Sequence, residues 1–419
     1  MKAAAPLGGL APSAHGGYRN NPLIDACGPI LSSDELVERL FHKPPVPGKV
    51  EQALPPHVIE HELFAIRRLH VPSPESIALA KTLDILMRQG YVHRNPSSPA
   101  TWGRLYNVPT WGSDHESVQL GASVVGISGV GKSTALIRAL HLKPQVVIHR
   151  HLPNLVNPVR QLLWLKIDVP ASGKLLDLVE SWAAAADEKL ETDYLRDLQK
   201  GRRRSPESLA REWVQRMGCH FPGLLVLDEI QNLFKIERKE LRAAKGIGSS
   251  RPLLRVVDDV ALKLLLNLIN ACRFPVVVCG TPDGIDAFGT RMSTSQRLVT
   301  GGFHRMAPAS SPDDVYLRKN LLPLLFQYQW LPGHLALNDE VANVMHQLSA
   351  GLPRLCGSLL IHAQRLALEA EAKALSLAHI YAAAAGPMAT TQPAVRALLS
   401  RDPGRMALFE DLLPTMGQW

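Results

Sequence analysis

An α/β fold, with a parallel sheet covered by helices, is what the chain predicts, and two observations predict it. Short apolar runs at residues 123–127, at 161–169, from 224 and from 275 alternate with helical stretches such as ALIRAL and KLLDLVESWAAAADEKL. That alternation is the signature of βαβ units. The second observation is that the residues able to do chemistry stand at the carboxyl ends of these runs, where open parallel sheets bind their ligands.

Length and composition set the frame. At 419 residues the chain is long enough for two or three domains, and 46% hydrophobic content suffices for a sizeable core. A net charge of +8 fits an acidic partner, nucleic acid first among them. Five scattered cysteines, without zinc spacing or a disulfide pattern, fit a reducing compartment. No apolar run is long enough to span a bilayer, so the expectation is a cytoplasmic protein with no membrane partner.

Texture divides the chain further. Residues 1–22 read as a flexible Gly/Pro-rich tail and 23–115 as a mainly helical, partner-binding extension. A helix opens there at Ser73 and Pro74, with Gly90 as its expected stop. Residues 116–310 carry the sheet, 311–385 a small helical lid, and 386–419 a second partner-binding tail.

The most informative segment runs from Gly126 through Ile127, Ser128, Gly129, Val130, Gly131 and Lys132 to Ser133, a full GxxxxGK[ST] loop. Polyphosphate needs many donors at close range. Glycines let the backbone turn its N–H groups inward, and the following helix adds its positive end. The cofactors expected are ATP and Mg2+. Gly126, Ser128, Gly129, Val130, Gly131, Lys132, Ser133 and Thr134 are the candidate nucleotide contacts. Lys132 would reach the β and γ phosphates, and the Ser133 hydroxyl would hold the metal.

Four further residues complete the candidate site. LLVLDE places Asp228 and Glu229 at the end of a buried strand, Asp228 to order the Mg2+ shell and Glu229 to act as general base. Thr281 ends PVVVCGT, on a strand expected between the other two, where a polar tip can position water. An ordinary turn threonine would read the same way. Arg354 stands in the first turn of a helix, after one capped by Asn338 and stopped at Gly351. There it is either a contact to the γ phosphate or a surface arginine.

On these residues a specific resemblance can be stated. GYVHRNP (90–96), GISGVGKSTALIRAL at the phosphate loop, QLLWLKIDVP (161–170), LLVLDEIQNL (224–233) and PVVVCGTPDGI (275–285) resemble, in sequence and in order, the TnsC/TniB-type AAA+ ATPases that regulate DNA transposition. The likeness extends over roughly residues 73–370. It implies an AAA+ P-loop NTPase, a parallel αβα sandwich with a C-terminal helical lid and an N-terminal helical extension. It also implies ATP-dependent homo-oligomers, rings or filaments, on double-stranded DNA. The partners it implies are transposase subunits and a target-selection adaptor of TniQ/TnsD type.

Such assemblies need an arginine that reaches a neighbour's γ phosphate. Arg297 is the first candidate and Arg291 the second, with an exposed or DNA-bound arginine as the alternative reading of Arg297. The chain departs from the family in the inserted stretch 235–255, where seven cations face two glutamates. Lys235, Arg238, Lys239, Arg242 and Lys245, with Arg202, Arg203 and Arg204 in a second cluster, are candidate contacts to DNA phosphates. A solvated charge run is the alternative for either cluster. Two other functions stay open on sequence grounds: a replication initiator or helicase loader, and an ATP-bound scaffold with negligible turnover.

Overall fold

A computed structural model describes residues 16–106, 120–153, 155–200, 204–236, 254–256, 275–282 and 299–406, with isolated positions (263, 265, 284, 285, 408 and 409) outside these ranges. Its described strands are β1 (Gly121–Val125), β2 (Val146–His149), β3 (Val159–Leu162), β4 (Trp164–Asp168), β5 (Leu224–Asp228), β6 (Phe234–Ile236), β7 (Leu254–Val256), β8 (Val276–Gly280) and β9 (Gly302–Arg305). Five of them form one sheet in the order β4-β5-β8-β1-β9. The pairs β4–β5, β5–β8 and β8–β1 are parallel, as the alternation predicts. β8 lies between β1 and β5, which is where the Thr281 strand was expected.

Contacts divide the chain into two compact units that interleave along the sequence. The first takes the described residues of Met1–Leu36, Ser76–Val125 and Ser133–His304. The second takes those of Val37–Glu75, Gly126–Lys132 and Arg305–Trp419. The stretch read as one N-terminal helical extension therefore contributes to both.

In the first unit β1, β5 and β8 are buried along their whole length, which is why they read as unbroken apolar runs. Helices in this part include α2 (Pro74–Val92), α3 (Lys132–Leu140), α4 (Leu175–Leu190) and α5 (Pro206–Gly218), and α1 (Ser33–Leu40) begins in it. Ser205 caps α5, accepting from the Ser208 N–H at 3.3 Å, and Pro206 opens it without loss of a needed donor. α4 and α5 bring Trp182 and Trp213 together with ring centroids 5.0 Å apart, in the core beside Leu225, Leu227 and Val278.

Two expectations about elements are corrected here. The run 161–169 is not one strand. β3 pairs antiparallel with β2 in a separate ribbon, and β4 joins the main sheet. The handover is at Leu162 and Leu163, whose N–H groups donate to His220 O (2.9 Å) and Gln145 O (2.8 Å). Leu162, Leu163 and Trp164 are apolar and buried alike, so the sequence carries no mark of a change of partner there. Gly90 is likewise not a stop, since α2 continues to Val92. A side chain at Gly90 would come within 2.7 Å of the Pro275 ring, so this glycine serves close packing.

Gly223 is tighter still. A Cβ there would sit 2.3 Å from Leu163 O and 2.6 Å from the Tyr91 hydroxyl. That hydroxyl is already committed to Phe221 O at 2.8 Å. Gly223→Ala is expected to cost about 1–3 kcal/mol of stability, read by chemical denaturation. An unchanged midpoint would show that the strand entrance yields freely.

The same unit contains a buried ionic knot. Asp84 of α2 pairs with Arg88 at 3.0 Å and with Lys143, beyond the end of α3, at 2.7 Å. Arg88 also donates to Gly28 O (2.7 Å), and Lys143 to Pro29 O (3.1 Å). The N-terminal segment is thereby held by backbone carbonyls it could not satisfy alone.

The second unit is helical, with α6 (Asp339–Ser349), α7 (Pro353–Glu369), α8 (Leu377–Ala385) and α9 (Gln392–Ser400). Leu63, Leu317, Tyr328, Met345, Leu359 and Ile380 are among its buried core. The Asn338 side chain accepts from Val341 N–H at 2.8 Å and caps α6, as expected. Ala350 and Gly351, at φ 51° and 69°, end it in the left-handed region. Among the described residues, no helix is long and apolar enough to cross a membrane.

Candidate nucleotide-binding site

The phosphate loop leaves β1 at Gly126, which has no room for a side chain: a Cβ would lie 2.5 Å from Met306 O and 2.9 Å from Val130 Cγ1. Gly129 and Gly131 have φ of 85° and 104°, conformations that L-residues avoid. The Lys132 ammonium donates to Ile127 O at 3.1 Å, across the loop it closes. Ser133 and Thr134 follow at the start of α3 and are exposed.

Arg354 lies against this loop. Its N–H donates to Gly129 O at 3.5 Å, and its Cβ is 3.7 Å from where a Gly129 side chain would begin. The residue expected from its helix position thus stands beside the predicted phosphate loop. Behind the loop, Ile127 is buried with Leu352 and with Ala397 and Met406 near the end of the chain; Val130 packs on the same cluster.

Asp228, at the end of β5, is buried, and the Ser133 hydroxyl is near enough to act on its pKa. Burial alone would raise its pKa. Hydrogen bonds from the Cys279 thiol, Ser133 and Lys166, with the Lys166 charge, instead hold the carboxyl below its usual range. Lys166 Nζ lies 3.1 Å from Asp228 Oδ2 and 2.5 Å from Asp168 Oδ1. Burial would lower its pKa too, but the two carboxylates raise it.

Glu229 is exposed, at φ 56°, a strained setting for a side-chain-bearing residue. Gln231 reaches both ways from the next turn: its Nε2 donates to Glu229 Oε2, and its Oε1 accepts from Thr281 N–H at 3.3 Å. Gly280 and Gly284 leave the space that Gln231 fills. Thr281 is 5% exposed, and its hydroxyl has no hydrogen-bond partner among the described residues. A buried hydroxyl left unpaired is costly, which suits a group that meets a ligand or water.

Residues 116–288 match the family model described as AAA domain. Over that stretch the chain is similar to AAA domains. With the five-stranded order above, its architecture is the AAA+ form of the P-loop α/β fold, as the motifs predict. No curated protein matches the chain. Among solved structures, the ORC2 protein of Aeropyrum pernix in ADPNP–ADP complexes is similar at 12% identity, over 64% of this chain and 62% of its own, with a TM-score of 0.39. Drosophila ORC bound to DNA is similar at 16% identity, over 79% of this chain and 72% of its own, with a TM-score of 0.36. The chain therefore spans less than two thirds of the Aeropyrum protein's length.

Outside the AAA domain's nucleotide motifs the predicted sites are less visible. Arg291 and Arg297 lie outside the described residues, as do Arg202, Arg203, Arg238, Lys239, Arg242 and Lys245; of Lys235 only the backbone in β6 is described. Arg204 pairs with Glu212 at 2.6 Å on the surface. Sequence reading passed over Lys166, Gln231 and Cys279 at the site. The one signal available for Lys166 was its spacing from Asp168, which puts both on one face of a strand.

Proposed function

We propose that the chain is a magnesium-dependent ATPase that assembles on double-stranded DNA and links choice of a transposition target to recruitment of transposase. The observation that carries the ATPase reading is the full GxxxxGK[ST] loop, with Gly129 and Gly131 at φ of 85° and 104°, together with the Ser133 hydroxyl that ends it and the buried carboxylate of Asp228 at the end of β5. These two oxygen donors suit Mg2+, a hard cation that takes few protein ligands and keeps several waters. What the ion supplies when bound is neutralisation of phosphate charge.

In this reading Lys132 and the loop N–H groups hold the phosphates, while Ser133 and Asp228 hold the metal. Glu229 removes a proton from the attacking water, and Thr281 orients that water with its free hydroxyl. Arg354 meets the γ phosphate from the same subunit and Arg297 from a neighbour, with Arg291 as the second choice. The transposition part is supported by the five motifs and their order. Transposase subunits and a TniQ/TnsD-type adaptor would bind the terminal regions, and the basic stretches near 202–204 and 235–245 would track DNA phosphates. The setting would be cytoplasmic, and hydrolysis would dissolve the assembly.

Electron microscopy of the purified protein with duplex DNA, with and without a non-hydrolysable ATP analogue, tests this. Rings or filaments that require both ligands, and that vanish in Lys132→Ala, are expected. Nucleotide binding without DNA-dependent assembly would overturn the transposition reading and leave an ATPase of another pathway.

A further inference from the structure

β4 and β5 end in register, Asp168 opposite Asp228. Lys166 shares a strand face with Asp168 and touches both carboxylates, at 2.5 Å and 3.1 Å. The two carboxylates differ sharply in setting, for Asp168 is 67% exposed and Asp228 3%. Water stabilises Asp168 unaided. Asp228 is cut off from water and depends on nearby cations and donors to remain charged.

Ser133, at the start of α3, is near enough to that same carboxylate to act on its pKa. A divalent ion held by Ser133 and Asp228 would therefore arrive where Lys166 already supplies positive charge. Two cations competing for one buried carboxylate repel each other strongly at such separations. Lys166, however, has Asp168 already within contact, at a place where solvent shares the load.

We propose that Lys166 is the resident counter-cation of Asp228, displaced towards Asp168 when magnesium enters with nucleotide. It is a positioning residue, and the Lys166–Asp168 couple sets how much free metal the site requires. This rests on the assignment of Ser133 and Asp228 as metal-holding residues. Two substitutions act with opposite sign. Lys166→Met removes the competitor, so metal binds more tightly. Asp168→Asn removes the receiving carboxylate and leaves Lys166 on Asp228, so metal binds more weakly.

The test uses the full chain with ADP, which allows no turnover, and Mn2+ as the probe, with free Mn2+ counted by electron paramagnetic resonance. Expected shifts in the Mn2+ dissociation constant are about three- to tenfold downward for Lys166→Met and about three- to tenfold upward for Asp168→Asn. A lysine with a purely structural role would move both variants in the same direction or neither, and either result overturns the proposal. Asp168→Asn alters an exposed side chain and keeps the test decisive should Lys166→Met fold poorly. If the unaltered chain binds neither ADP nor Mn2+ with it, the nucleotide assignment itself falls, an outcome distinct from normal binding with unshifted variants.

Discussion

Glu229→Gln is expected to slow ATP hydrolysis by about a hundred- to ten-thousand-fold while leaving ATP binding within about threefold of the unaltered chain. The substitution keeps size and shape and removes only the ability to take a proton. Gln231 still finds an acceptor, because the new amide oxygen can receive the bond that Glu229 Oε2 now accepts. The Ser133–Asp228 contact does not involve Glu229 and is left in place. Single-turnover hydrolysis and binding of a fluorescent nucleotide separate the two effects. Undiminished hydrolysis would remove Glu229 from the proposed chemistry. The same variant also tests the proposed timing role: assemblies on DNA should persist far longer, and an unchanged lifetime would mean that hydrolysis does not dissolve them.

Asp84→Asn is expected to destabilise the chain by about 3–5 kcal/mol, because it leaves two cations in a poorly hydrated place. Arg88 is 1% exposed and Asp84 15%, so solvent substitutes poorly for the lost charge. Arg88 keeps its carbonyl partners at Gly28 and Pro29, and Lys143 keeps Pro29 O, but none of these carries a charge. Burial already pushes the Lys143 pKa down, and Asp84 opposes that push. Without Asp84 the folded-state pKa falls further below the unfolded value. The unfolded chain then binds the proton more readily, so the variant should be weakest at neutral pH and regain stability as Lys143 deprotonates on the alkaline side. Thermal unfolding as a function of pH measures this. The double variant Asp84→Asn, Lys143→Met should recover part of the loss, and full additivity would argue against a coupled knot.

Much of this was legible in the sequence where the cause is local. The phosphate loop, Asp228 and the Asn338 cap each follow from a few adjacent residues. Their geometry holds because glycine dihedrals, strand burial and capping bonds are set at short range. The position of Thr281 depended on strand order and still came out, because open parallel sheets use few orders. What sequence reading missed lies in register and in tight contacts. Nothing in QLLWLKIDVP tells that β3 and β4 serve different sheets, or that Lys166 faces Asp228 across a strand boundary. Gly90 reads as a helix stop until the Pro275 ring is known to occupy the space beside it. Gln231 looks like a turn residue, and only two glycines distant in sequence show that room is kept for it.

The packing behind the phosphate loop has a consequence for the order of events during synthesis. Ile127 is made in the first third of the chain, yet it is buried against Leu352, Ala397 and Met406, which emerge from the ribosome much later. Contacts between positions so distant are slow to form, because a long stretch of chain must first be brought back on itself. A nascent chain can carry the complete GxxxxGK[ST] segment long before that segment has its apolar backing. Firm nucleotide binding should therefore be acquired only after Met406 has been made, and a shorter nascent chain would not compete for nucleotide.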